Sequence, residues 1–311
     1  MADQPTFPGS TYAGMAAGKY ISAALLSAPT IANGGVTVLE NVKGKSVLQT
    51  LDTSSIFTDA TCDFDDTQTV TMGEQILTVK DMQVNLQLCR SQFHDTWTAI
   101  EMGASAFADI PKSFEDYLLG YVAAKVADSN ETLLWRGALG ANAYDGFVTL
   151  GVAQIAAGQQ IAAIVSTAAN VIDEIGKVVD KIPSTVYGSE DLKLYLSPNL
   201  ARNYVRALGG FSAVATSNAG TDNKGTQWYT NGQLSYDGIS IFVANGLGDN
   251  TMMAAQTSNL YFGTSLLSDW DINSAAVIPV HLYDGSDNVR IVMRMTAGAQ
   301  IGIADDCVLY S

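Results

Sequence analysis

His94 and His281 are the only two imidazoles in this 311-residue chain, and they stand far apart in the sequence. A histidine-based metal site or nucleophile–base pair needs a second group at short spacing or in a recognisable motif. His94 lies in the polar run SQFHD and His281 in an apolar run, with neither HExxH nor a His–Cys spacing beside them, so both read as structural residues. Gly44, Lys45 and Ser46 imitate the end of a phosphate loop, but that loop needs a glycine where this chain has Leu39. Gly246 and Gly248 open a dinucleotide fingerprint whose third glycine is replaced by Thr251, which leaves a turn. Asp63, Asp65 and Glu74 fit three positions of a calcium loop, yet Gln68 occupies the obligatory glycine position and the flanks read as strands rather than helices. Cys62, Cys89 and Cys307 show no CxxC spacing, and no GxSxG elbow occurs, so neither zinc, disulfide nor esterase chemistry is indicated. No cofactor, metal or catalytic residue is expected.

Composition points to association rather than catalysis. Hydrophobic residues make up 47% of the chain and charged residues only 15%, few for a soluble monomer that must keep its apolar faces apart. The formal charge of -15 repels a phosphate backbone, so no sequence-specific nucleic-acid binding is expected. Met1 to Gly18 is small and polar, with Asp3 ahead of any lysine, and does not read as a secretory signal. The charge-free run between Asp145 and Asp173 is long enough to cross a bilayer, but Gln154, Gln159 and Gln160 sit within it. Amides there are costly in hydrocarbon, so a soluble turn and buried element is expected, with no membrane partner.

The elements follow from periodicity. Residues 1–39, with Pro5, Pro8, Pro29 and the pair Gly34–Gly35, hold no sustained period and read as an extended N-terminal arm. Residues 40–92 alternate as strands, most clearly at Met82, Val84, Leu86 and Leu88 with Gln83, Asn85 and Gln87 between them. The acidic cluster Asp63 to Asp66 supplies a turn, so a long β-hairpin is expected. An isolated hairpin is marginal in water and exposes unpaired edges, so one this long needs a partner outside its own domain. Phe114, Tyr117, Leu118, Tyr121, Val122 and Val126 recur at helical spacing after Pro111, giving a long helix that Gly137 stops. A second amphipathic helix is expected with Val165, Ala168, Ile172, Ile175, Val179 and Ile182 inward and Asp173, Glu174, Lys177 and Lys181 outward, ending at Pro183. Leu192–Leu196 reads as an apolar strand, followed by a short helix opened by Ser197 and Pro198. Strands are expected near Ile239–Val243, Leu260–Phe262, Val277–Tyr283 and Val289–Met295.

This order of elements resembles the major capsid proteins of tailed bacteriophages, whose fold is called Hong Kong ninety-seven. The resemblance rests on the run VNLQLCRSQFHDTW from Val84 to Trp97, the helix SFEDYLLGYVAAKVADSNETLLWRG from Ser113 to Gly137, and YDGF from Tyr144 to Phe147. It also rests on LYLSP from Leu194 to Pro198, DGISIFVANGLGDNTMMA from Asp237 to Ala254, and NLYFGT from Asn259 to Thr264. It implies an α+β fold: arm 1–39, extended hairpin loop 40–92, a peripheral domain 93–188 built on the spine helix, an axial domain 189–263, and C-terminal strands 264–311 returning to the peripheral domain. It further implies self-assembly as hexamers and pentamers into an icosahedral head shell around double-stranded DNA, in the host bacterial cytoplasm. Separate scaffold, portal and cement proteins would be the other partners. The hairpin residues Ile56, Phe57, Phe64, Met72, Ile76 and Leu77 would touch a neighbouring copy. Some relatives crosslink this loop through Lys and Asn, but the hairpin body offers only Lys45 and Lys80, both near its base, so a noncovalent shell is expected. The competing reading is a β-rich virion or cell-surface protein, an adhesin or tail component, which a signal sequence or internal repeats would mark. A hydrolase would instead need carboxylates gathered in a pocket.

Overall fold

The structure is a computed structural model that describes residues 29–53, 62, 70–89, 112–208, 234–264, 275–279 and 288–311. Among the described residues, strands β5 (Gln160–Ile161), β6 (Leu192–Leu196), β7 (Ser235–Tyr236), β8 (Ile239–Val243), β9 (Met252–Gln256) and β13 (Val308–Tyr310) form a six-stranded sheet in the order β5-β13-β9-β6-β8-β7. Strand alternation sends Tyr195, Met253 and Leu309 into one core and Leu194, Leu196, Met252, Ala254, Val308 and Tyr310 into another. Both faces are therefore covered, which explains why β9 (MMAAQ) and β13 (VLY) show no polar alternation in the sequence.

The first core gathers on the end of the expected long helix, α2, observed as Lys112–Arg136 after a short helix α1 at Pro29–Ala32. The Trp135 ring lies 5.4 Å from that of Phe147 and 5.1 Å from that of Tyr195. The chain then passes through Gly137 into α3, Phe147–Gln154. At Gly246, a Cβ would stand 2.1 Å from the Glu131 carbonyl oxygen, so only glycine lets this turn reach the helix backbone. The helix α3 and strand β5 occupy the charge-free run, and among the described residues no helix is long and apolar enough to cross a membrane.

The second core carries a correction. The second amphipathic helix, α4, is confined to Val171–Val179, and its buried face is Val171, Glu174, Ile175, Val178 and Val179, whereas Val165 is 75% and Ile172 39% exposed. The inward stripe is rotated by about one residue from the expected one. Glu174 can turn inward because Tyr310 Oη donates to its Oε2 at 3.0 Å and Lys177 Nζ reaches Oε1 at 2.6 Å. A buried carboxylate paired in this way is tolerated. Helix α5 spans Pro198–Ala207 with Ser197 at its N-cap, as expected.

The third layer is a sheet of β1 (Thr37–Glu40), β10 (Leu260–Thr264), β12 (Asn288–Ile301) and β11 (Ala275–Pro279), with β4 (Lys80–Cys89) also paired to β12. Strand β1 runs parallel to β10, Val38 opposite Phe262. The segment 29–40, expected as the end of an extended arm, is thus part of the globule, and Thr30 is fully buried. Thr30 N donates to Glu131 Oε2 at 3.2 Å, its hydroxyl donates to Glu131 Oε1, and Trp135 Nε1 donates to the Thr30 hydroxyl at 3.0 Å. Cys307 is buried in the first core. Burial, aided by the Asp306 charge, pushes its thiol up to about 12, which leaves it inert.

Candidate self-association surface

The hairpin is built from β2 (Lys45–Thr53) and β3 (Val70–Thr78), which pair only with each other among the described residues. β4, read from the sequence as part of the hairpin region, instead leaves it after the single residue Val79 and pairs with β12, Lys80 opposite Ala297 through Cys89 opposite Asn288. Its alternation is the expected one, with Leu86 opposite Ile291 and Gln87 opposite Arg290.

Because successive residues of a strand point to opposite faces, the register sorts the hairpin side chains. Val47 opposite Ile76, Leu51 opposite Met72 and Thr53 opposite Val70 share one face, interrupted by Gln49 opposite Glu74. Leu51 is 67% and Met72 66% exposed, and Val47, Val70 and Ile76 are exposed with them. Five large apolar residues thus line one side of a two-stranded ribbon, exposed among the described residues. An exposed apolar ladder of this kind marks an interaction surface.

The other face is closed toward the body. Leu48 and Gln75 are half-buried and Leu77 is fully buried. Leu77 is therefore a correction to the expected contact set. Its side chain lies where a Cβ on Gly263 would come within 2.7 Å, so it anchors the hairpin root in its own chain instead of reaching a neighbour. Beside it, the Gln300 side-chain amide donates to Gln75 Oε1 at 3.2 Å and to Gln154 Oε1 at 3.3 Å, tying hairpin, sheet and α3 together. Lys80 Nζ donates to the carbonyls of Gly140 and Ala143, fixing the start of β4 to the loop after α2.

Of the residues expected to touch a neighbour, the structure places Met72 and Ile76 on the exposed ladder. Ile56, Phe57 and Phe64 lie outside the described residues, as do His94 and His281. Val47, Leu51 and Val70 were not anticipated. The signal was available in Val47, Gln49 and Leu51 sharing one parity, but only the pairing register shows that their cross-strand partners are apolar as well. Among the described residues no group of three His, Cys, Asp or Glu could hold a metal ion.

No protein-family model matches the chain, and no curated protein does. Solved structures do. The capsid of the native GTA particle, computed with C5 symmetry, matches with a TM-score of 0.60 at 11% identity over 98% of this chain and 94% of that one. The mature capsid of bacteriophage PhiM1 matches with a TM-score of 0.55 at 10% identity, covering 99% of this chain and 91% of that one. The capsid of cyanophage P-SCSP1u matches with a TM-score of 0.53 at 11% identity, covering 99% and 92%. At such identities the likeness is one of fold, and across nearly its whole length this chain has the mixed α and β fold of phage major capsid proteins.

Proposed function

We propose that this chain is the major capsid protein of a tailed phage, a non-enzymatic subunit that assembles as hexamers and pentamers into an icosahedral head shell around double-stranded DNA. The observation that carries this reading is the hairpin ladder: Val47, Leu51, Val70, Met72 and Ile76 are exposed on one face while Leu77 roots the opposite face in the body. A hydrophobic ribbon held away from its own core is stabilised when a neighbouring copy covers it, and such contacts repeated around an axis close into rings. The capsid fold supports the same conclusion. The charge of -15 suits a container whose wall does not grip the polymer inside. Scaffold, portal and cement proteins would be separate chains, and the shell would form in the host bacterial cytoplasm.

The test is to express the full chain and examine it by negative-stain electron microscopy and sedimentation. Hollow shells or hexameric rings are expected; a monodisperse monomer at high concentration would defeat the proposal. The amine of Lys80 is already engaged by the carbonyls of Gly140 and Ala143. Denatured shells should accordingly run as a single monomer band on a reducing gel, with no ladder above it.

A further inference from the structure

Methionine sulfur is placed very unevenly in this fold. Met253 is fully buried in the first core and Met252 in the second. Met82 and Met295 are half-buried and stand opposite each other in the β4–β12 ladder. Met72, on the hairpin, is 66% exposed. Among the methionine side chains the structure describes, it alone presents its sulfur openly to solvent. Its setting is apolar: Leu51 faces it across the hairpin, and Val70, two residues along the same face, is exposed as well. Neither of these neighbours carries a hydrogen-bond donor on its side chain.

An exposed thioether has one ready reaction. Hydrogen peroxide hands an oxygen atom to Met72 Sδ: an S–O bond forms, the peroxide O–O bond breaks, and the second oxygen leaves as water. Sulfur gives up two electrons and the peroxide accepts them. The product, methionine sulfoxide, carries a strong polar acceptor where a flexible apolar group stood. In the free chain water satisfies that acceptor, and the fold tolerates the change because Met72 buries little of itself. When an apolar surface closes over the ladder, water is excluded and Leu51 and Val70 offer nothing in its place. A buried acceptor without a partner is costly. The step is reversible: two thiols become a disulfide and the oxygen departs as water, a reaction that sulfoxide reductases catalyse.

We infer that Met72 is an oxidation site through which peroxide controls whether a free subunit can enter the shell. Subunits with the thioether assemble, subunits with the sulfoxide are held back, and reduction releases them. The control acts before assembly only, since a covered ladder shields the sulfur. Met252 and Met253 lie out of reach in either state because their own fold encloses them. The inference rests on the shell reading above and adds regulation to its contact face.

The experiment treats the full-length chain, Met72→Leu and Met72→Ile with dilute hydrogen peroxide, removes the excess with catalase, and checks by circular dichroism that melting is unchanged. Light scattering then gives the concentration at which particles appear. The quantity read is the ratio of treated to untreated threshold for each chain, so any effect of a substitution on assembly itself cancels. A ratio of about tenfold or more is expected for the wild type and a ratio near one for both substituted chains. Peptide mass mapping should place the added oxygen on Met72, and incubation with the two stereospecific methionine sulfoxide reductases and dithiothreitol should return the wild-type ratio to one. In preformed shells Met72 should oxidise about tenfold more slowly, or less, than in free subunits. If neither substituted chain forms particles untreated, the reductase series decides: the wild-type threshold must follow the sulfoxide at Met72 and at no other methionine. An equal ratio in the substituted chains, a chain oxidised at Met72 that assembles at its untreated threshold, or no oxygen on Met72 would overturn the inference and leave the shell reading standing. An untreated wild-type chain that forms no particles under any condition would sink both.

Discussion

The double substitution Leu51→Glu, Met72→Glu is expected to abolish shell formation while leaving the globule folded. The two residues stand opposite each other near the outer part of the ladder, at 67% and 66% exposure, so neither contributes much to the stability of its own chain. Fully burying such a side chain is worth roughly 1.5–3 kcal/mol. Losing two of them weakens each contact by about 4 kcal/mol, roughly a thousandfold in affinity, before the cost of desolvating two new carboxylates is counted. Shell assembly multiplies that loss because every subunit makes the contact. Sedimentation velocity should show the variant as a slow species, with a melting temperature within a few degrees of wild type. Leu77→Ala is the contrasting control: this side chain is fully buried at the root, so its truncation should cost about 2–5 kcal/mol of folding stability. Normal shells from the glutamate variant would show that the ladder is not the assembly face.

The second large effect is expected inside the globule. Glu131→Ala should lower folding stability by about 3–5 kcal/mol, which for a chain of this size is a fall in melting temperature on the order of 10 °C. Glu131 is 2% exposed, accepts from both the backbone amide and the hydroxyl of Thr30, and Thr30 in turn accepts from Trp135 Nε1. Alanine removes the acceptor and leaves two buried donors of Thr30 without partners, each costing about 1–3 kcal/mol. Glu131→Gln should fall between, since its carbonyl keeps one donor satisfied while its amide faces the other. This cluster fastens α1 to the end of α2, so the alanine variant should also become sensitive to proteolysis near residues 29–40. A thermal melt within about 1 kcal/mol of wild type would contradict the assignment.

These features were not equally legible in the sequence. Long periodic segments were: α2 lies where Phe114 to Val126 recur at helical spacing, β4 follows its strict alternation, and Ser197 with Pro198 opens α5. Segments apolar on nearly all sides gave no period to read. Helix α3 is FVTLGVAQ, apolar around nearly its whole circumference, and β9 and β13 lie between two cores, so neither template stands out. β1 was hidden for another reason: it is four residues long and its partner β10 is more than 200 residues away, so nothing local marks it as a strand. The rotation of α4 came from Glu174, whose charge reads as outward until Tyr310 and Lys177 are seen to meet it. On the hairpin, the residue types were readable but the division between a rooted face and an open one was not. That division depends on Leu77 meeting Gly263, a contact that no spacing encodes.

The three glutamines at the base of the ribbon have a mechanical consequence. Gln75, Gln154 and Gln300 join the hairpin to the body through neutral amides, beside the apolar contact of Leu77 at Gly263, and none of these groups gains or loses a proton across the range in which proteins fold. The angle at which each subunit extends its ribbon is therefore set like a bracket, indifferent to acidity and little altered by ionic strength. Solution conditions can strengthen or weaken the grip between neighbours, but they act on a geometry already fixed when the single chain folds.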